Sequence, residues 1–85
     1  MFLEIATGYK INLNAVSEIT EYNDDINLYI PNHNNEISVG DDGYALFDGV
    51  VTSINIIHSG DMEVTLSPEF AKYAALKKWI EANTI

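Results

Sequence analysis

Apolar side chains fall at every second position in two short runs, Ile26-Leu28-Ile30 and Met62-Val64-Leu66, with polar residues between them. A period of two puts alternate side chains on opposite sides of an extended backbone, so each run reads as a strand with one buried and one solvated face. A strand of this kind needs neighbours to pair with and a layer to cover its apolar side. The rest of the chain supplies both. Phe2 to Ala6 is a further apolar segment, and after Thr7-Gly8 the residues Tyr9, Ile11 and Leu13 alternate with Lys10 and Asn12, which predicts a hairpin. Ser17 to Tyr22 reads as a weaker strand, separated by Asn23-Asp24-Asp25 from the run that Pro31 ends. Asn32-His33-Asn34-Asn35 reads as a loop, Glu36 to Val39 as a short strand, and Gly40-Asp41-Asp42-Gly43 and Ser59-Gly60-Asp61 as turns.

Two readings of residues 44–57 stay open. Tyr44, Phe47, Val51 and Ile54 share a helical face that Asp42 could cap, whereas Val50 to Ile54 is rich in β-branched residues and Asp48-Gly49 suits a two-residue hairpin turn. Near the C-terminus the pattern changes period: Ser67 is placed to cap a helix, Pro68 to begin it and Glu69 to sit in its first turn. Phe70, Tyr73, Ala74, Leu76, Trp79 and Ile80 would form its apolar face. The expected fold is therefore α+β: an antiparallel sheet of five to seven short strands, a C-terminal amphipathic helix packed on one face, and either a second helix at residues 43–56 or a hairpin within residues 44–57. No linker or repeat divides residues 1–85, and a chain of this length makes one small domain.

Charge is distributed unevenly along this frame. Twelve of the thirteen acids precede Lys72, where Lys10 is the one basic side chain, while Lys72, Lys77 and Lys78 follow against Glu81 alone. The two portions carry −11 and +2, which together make the net −9. With no Arg and few Lys, the chain lacks the cations that nucleic acid or an anionic membrane would require, and its field favours cationic partners. No segment is long and apolar enough for a membrane span, and the N-terminal residues lack the pattern of a secretory signal, so a cytoplasmic protein is expected. The absence of cysteine removes disulfides, thiolate metal sites and thiol nucleophiles, and fits a reducing compartment.

Catalytic motifs are lacking. His33 and His58 lie in loop sequence and belong to no metal-ligand or nucleophile pattern, and the glycines form no phosphate cradle. Asp24, Asp25, Asp41 and Asp42 do not follow the spacing of a calcium loop. The expectation is a protein with no enzyme activity, cofactor or metal, one that binds a basic surface of another protein. If the first five strands form an up-and-down meander, the turns at Asp24-Asp25 and Asp41-Asp42 share one end of the sheet, and an all-strand reading of residues 44–57 brings Asp61 there too. Glu18, Glu21 and Glu36 would extend that negative surface, with Tyr22 or Tyr29 as an apolar anchor. Carboxylates spaced like a phosphate backbone would make the chain an inhibitor or decoy for a nucleic-acid-binding protein. In general kind, by charge and size, this is similar to the anti-restriction, anti-CRISPR and glycosylase-inhibitor proteins of mobile elements. The alternative is a structural protein that assembles into a homo-oligomer, a dimer in the simplest case, through an edge strand or the C-terminal helix.

Overall fold

The structure is a computed structural model that describes residues 1–6, 8–31, 44–47, 50–56 and 60–85. Its antiparallel strands fall into two sheets, and the single sheet expected from the sequence is corrected accordingly. β1 (Phe2–Ala6) and β2 (Tyr9–Asn12) make a separate hairpin, continued by a short 3-10 turn at Leu13–Ala15. The larger sheet contains β3 (Glu18–Tyr22), β4 (Asp25–Ile30), β5 (Tyr44–Phe47), β6 (Val50–Ile56) and β7 (Met62–Leu66), in the spatial order β3-β4-β7-β6-β5. One helix, α1 (Tyr73–Ala82), closes the chain.

The two alternating runs pair with each other at the centre of the sheet. β4 and β7 run antiparallel from Ile26 opposite Leu66 to Ile30 opposite Met62, so every apolar residue of one faces an apolar residue of the other. Ile26, Leu28, Ile30, Met62, Val64 and Leu66 are all buried, as is Ile54, which lies opposite Val64 on β6. Leu3, Ile5, Ile11 and Leu13 of the hairpin, with Phe70 and Leu76 of the C-terminal segment, complete one continuous core on that side. This arrangement displaces the expected meander. β4 keeps β3, the strand before it, on one side and on the other passes over β5 and β6 to pair with β7, because joining the two cleanest apolar stripes buries both at the centre of the sheet.

Over the described residues 44–47 and 50–56 the hairpin reading is the one that forms and the second helix does not, while Asp48-Gly49 lies outside the described residues. β5 and β6 pair antiparallel, from Tyr44 opposite Asn55 to Phe47 opposite Val50. Gly43 and Gly49 would each have weakened a helix by about 1 kcal/mol relative to Ala, whereas the strand lets Ile54 join the core. The predicted strand at Glu36 to Val39 and the turns around Asp41-Asp42 and His58 lie outside the described residues.

The C-terminal helix begins later than Ser67 and Pro68 suggest. The Phe70 N–H donates to the Ser67 carbonyl and the Tyr73 N–H to that of Phe70, so residues 67–72 form a run of tight turns. The Ser67 hydroxyl accepts from the Glu69 N–H at 3.3 Å and thus caps a turn instead of the helix. These turns carry Phe70 into the core, and burying a Phe is worth about 1.5–3 kcal/mol against about 1 kcal/mol for a helix cap. On α1, Leu76 is buried and Tyr73, Trp79 and Ile80 pack against the core, but Ala74 is exposed. Two helical positions are about 200° of rotation, so Ala74 points away from the side that Leu76 buries.

The turn from β3 to β4 is short. Tyr22 pairs with Asp25, leaving Asn23 and Asp24 as its two residues, at φ of 50° and 69°. Positive φ at both positions matches the twist of a tight hairpin, and Asn and Asp tolerate it better than other residues with a Cβ.

Two stability measurements follow from this arrangement. Leu28→Ala should cost about 2–5 kcal/mol in urea unfolding, a large share of the roughly 5–15 kcal/mol typical of a domain. At the turn, Asp24→Gly should be more stable than Asp24→Ala by about 1 kcal/mol, because only glycine enters the left-handed region freely.

Candidate functional site

One face of the five-stranded sheet is covered by the β1–β2 hairpin and α1, and the residues that alternate with the core point the other way. On β4 these are Asp25, Asn27 and Tyr29, and on β7 Glu63 and Thr65, all part-exposed. The register sets them in transverse rows. Glu18, Tyr29 and Glu63 form one row across β3, β4 and β7, and Thr20, Asn27 and Thr65 the next. Tyr22 and Asp25 lie beyond them at the turn.

The second row is knit by side-chain hydrogen bonds. The Thr65 hydroxyl donates to Asn27 Oδ1 at 2.8 Å, and Asn27 Nδ2 donates to Thr20 Oγ1 at 3.3 Å. Thr20 Oγ1 also meets the Tyr29 hydroxyl at 3.4 Å, which joins the two rows. Such a network fixes rotamers on a face that no other layer covers among the described residues. Tyr29 then stands between two carboxylates, since Glu18 and Glu63 occupy strands on either side of it, roughly 10 Å apart by the spacing of strands. Its hydrogen bond to Thr20 favours the phenolate. The neighbouring Glu63 carboxylate, partial burial and the charge of Glu18 act the other way, and together they raise the Tyr29 pKa above its ordinary value.

The lysines lie elsewhere. Lys77 Nζ reaches Glu21 Oε1 at 2.8 Å, and this bond, with the Glu21 charge, raises the Lys77 pKa. Lys72 Nζ lies 3.4 Å from Glu4 Oε1. Glu4 also accepts from the Gly8 N–H at 3.2 Å; that backbone bond first, then Lys72, holds its carboxyl below the usual range. Tyr73 ties the helix to the β3–β4 turn by donating its hydroxyl to the Asp24 carbonyl oxygen. The separation of acid from base along the chain is thus partly undone in space. The basic C-terminal segment folds back onto Glu4 and Glu21, on the side away from Glu18, Tyr29 and Glu63.

The acidic residues expected at one tip take different places. Asp24 is exposed in the β3–β4 turn, and Asp25 opens β4 beside it on the open face. Glu21 lies beside that turn, but its carboxylate is engaged by Lys77. Glu18 is four residues farther along β3, in the row of Glu63. Asp61 does not join Asp24, in contrast to the all-strand expectation: it precedes Met62, which pairs with Ile30, whereas the Asp24 turn adjoins the Ile26–Leu66 end. The two ends are separated by roughly 13–16 Å of strand, beyond the screening length of about 8 Å. Glu36, Asp41 and Asp42 lie outside the described residues. Glu63 was not among the candidates from the sequence; the alternation of its strand marks it as solvent-facing, but only the β4–β7 pairing sets it beside Tyr29.

Among the described residues no group of three or more His, Asp or Glu side chains could hold a metal ion, and no helix is long and apolar enough to cross a membrane. No known family model, characterised protein or solved structure matches the chain.

The environment of Tyr29 can be tested by NMR titration of its ring. Its phenol should ionise at higher pH than an ordinary tyrosine, and Glu63→Gln should move the midpoint down by removing the nearby negative charge. An unchanged midpoint in Glu63→Gln would place the cause elsewhere.

Proposed function

We propose that the chain is a non-enzymatic, cytoplasmic binding module that presents the open face of its sheet to a basic surface of another protein. The observation that carries this reading is the one-sided placement of charge. Glu18, Asp25 and Glu63 share the uncovered face of β3, β4 and β7, while all four lysines belong to β2 or the C-terminal segment. Solubility alone requires charge but not one sign, and mixed signs on this face would lower repulsion at no cost to solubility. Tyr29, held between Glu18 and Glu63, provides a flat ring on which an arginine or the stem of a lysine can rest.

A partner whose basic surface normally holds a nucleic-acid backbone fits this chemistry best. Its lysines and arginines are already arrayed for anions, and the module would occupy them as an inhibitor or decoy. Asp24, and by charge Asp41, Asp42 and Glu36, would add to steering. A retention assay on immobilised protein tests this. Nucleic-acid-binding proteins should be retained at low salt, released as salt rises and displaced by duplex DNA. Replacing Glu18, Asp25 and Glu63 by Gln, Asn and Gln should weaken retention about tenfold or more, roughly 1.4 kcal/mol. Removing the same three units of charge by Glu69→Gln with Glu81→Lys should have a much smaller effect. A second variant with Asp24→Asn, Asp41→Asn and Asp42→Asn measures the contribution of the turn acids. Equal loss from the Glu69 and Glu81 control would reduce the effect to net charge, and no loss from either acidic set would overturn the reading.

A further inference from the structure

β3 is the outermost strand on its side of the larger sheet, and among the described residues no strand pairs with its outer edge. Its hairpin with β4 fixes which backbone groups that edge exposes. In an antiparallel pair, residues that exchange both backbone hydrogen bonds alternate with residues that exchange none. Tyr22 and Asp25 flank a two-residue turn and are the first bonded pair, so Thr20 with Asn27 and Glu18 with Tyr29 follow as bonded pairs. Ile19 and Glu21 therefore turn their N–H and C=O groups away from β4. Two donors and two acceptors at the spacing of a strand face outward, which is the template that an added strand uses.

Charge decides which strand can use it. β3 carries Glu18 and Glu21, both exposed, and no cation. A second copy would bring another net −9 to the same place. A symmetric antiparallel pairing through Ile19 and Glu21 would centre on Thr20 and set the two Glu21 side chains diagonally across from each other, where like charges repel. Glutamates on an edge deter self-pairing. The same residues favour a strand of opposite sign. Tyr22, 73% exposed at the end of this edge, adds a ring against which a lysine stem or a guanidinium can pack.

We propose that β3 is a docking edge, on which an extended lysine- or arginine-bearing segment of a partner protein adds as a further strand. Its main chain bonds Ile19 and Glu21, and its cations meet Glu18 on the open face. Glu21, already paired with Lys77, contributes less. The proposal rests on the basic-partner reading above and specifies how such a partner is held.

The test uses the full chain labelled for NMR and, as probe, a blocked octapeptide of alternating Thr and Lys. Saturating peptide should slow hydrogen exchange at the Ile19 and Glu21 amides by about tenfold or more, leaving amides of α1 unchanged. A fully N-methylated peptide of the same charge should not, and a Thr-Ser peptide should protect far less. Glu21→Pro removes one outward donor without touching the bonds to β4 and should abolish protection at Ile19, whereas Glu21→Gln should retain it. Equal effects of the N-methylated and ordinary peptides would overturn the proposal, and so would protection that appears with rising protein concentration alone, which would assign the edge to a second copy. Peptide binding that shifts Glu18 and Tyr29 resonances without protecting Ile19 and Glu21 would overturn the docking edge and leave the acidic face standing. Failure of any basic peptide to bind would count against both.

Discussion

The pairing of β4 with β7 is the interaction on which the rest of the molecule depends. Because Ile26, Leu28 and Ile30 stand opposite Leu66, Val64 and Met62, the two strands form a single apolar surface, and a slip of one residue would turn one stripe to solvent. That surface is what the β1–β2 hairpin and α1 cover. Everything on the other side follows from the same register. The residues left between the apolar ones become the open face, and Tyr29 meets Glu63 only because Leu28 meets Val64. In a domain this small, with one core and no disulfide, the central pair has no substitute.

The second constraint is electrostatic. The chain carries far more acid than base, and its few lysines are not spread to neutralise it evenly. Lys72 and Lys77 bridge the C-terminal segment to Glu4 and Glu21, so they help hold the covering layer to the hairpin and to β3. The open face, by contrast, keeps its carboxylates without a lysine among them. A surface of this kind costs some stability through like-charge repulsion, which a cationic partner would relieve. The left-handed Asp24 points the same way: glycine would fit its φ of 69° more easily, yet a carboxylate stands there.

Much of this architecture was legible in the residues. Strict alternation located β4 and β7, and turn residues separated most of the other strands, because period and turn chemistry are local properties. Partner choice is not local. Nothing in the sequence says that β4 pairs with β7 instead of the next segment along the chain, so the expected meander, the shared tip of Asp24 and Asp61 and the single sheet all failed together. The start of α1 was misplaced for a related reason: Ser67-Pro68 is a good local signal, but the burial of Phe70 depends on a core assembled from distant segments. At the candidate site, Glu18, Asp25 and Tyr29 were visible as separate residues, while their relation to Glu63 required the sheet.

The sheet has one dry, covered face and one face that carries carboxylates without a lysine, and paramagnetic co-solutes can measure both at once. With small nitroxides of equal size but positive, neutral or negative charge, relaxation of side-chain protons should be strongest for the cationic probe at Glu18, Asn27, Tyr29 and Glu63. The protons of Leu28 and Val64 should be shielded from all three. Salt should reduce the difference between the charged probes without exposing the shielded positions. Equal enhancement by cationic and anionic probes along the Glu18–Tyr29–Glu63 row, or strong relaxation at Leu28 and Val64, would contradict the account.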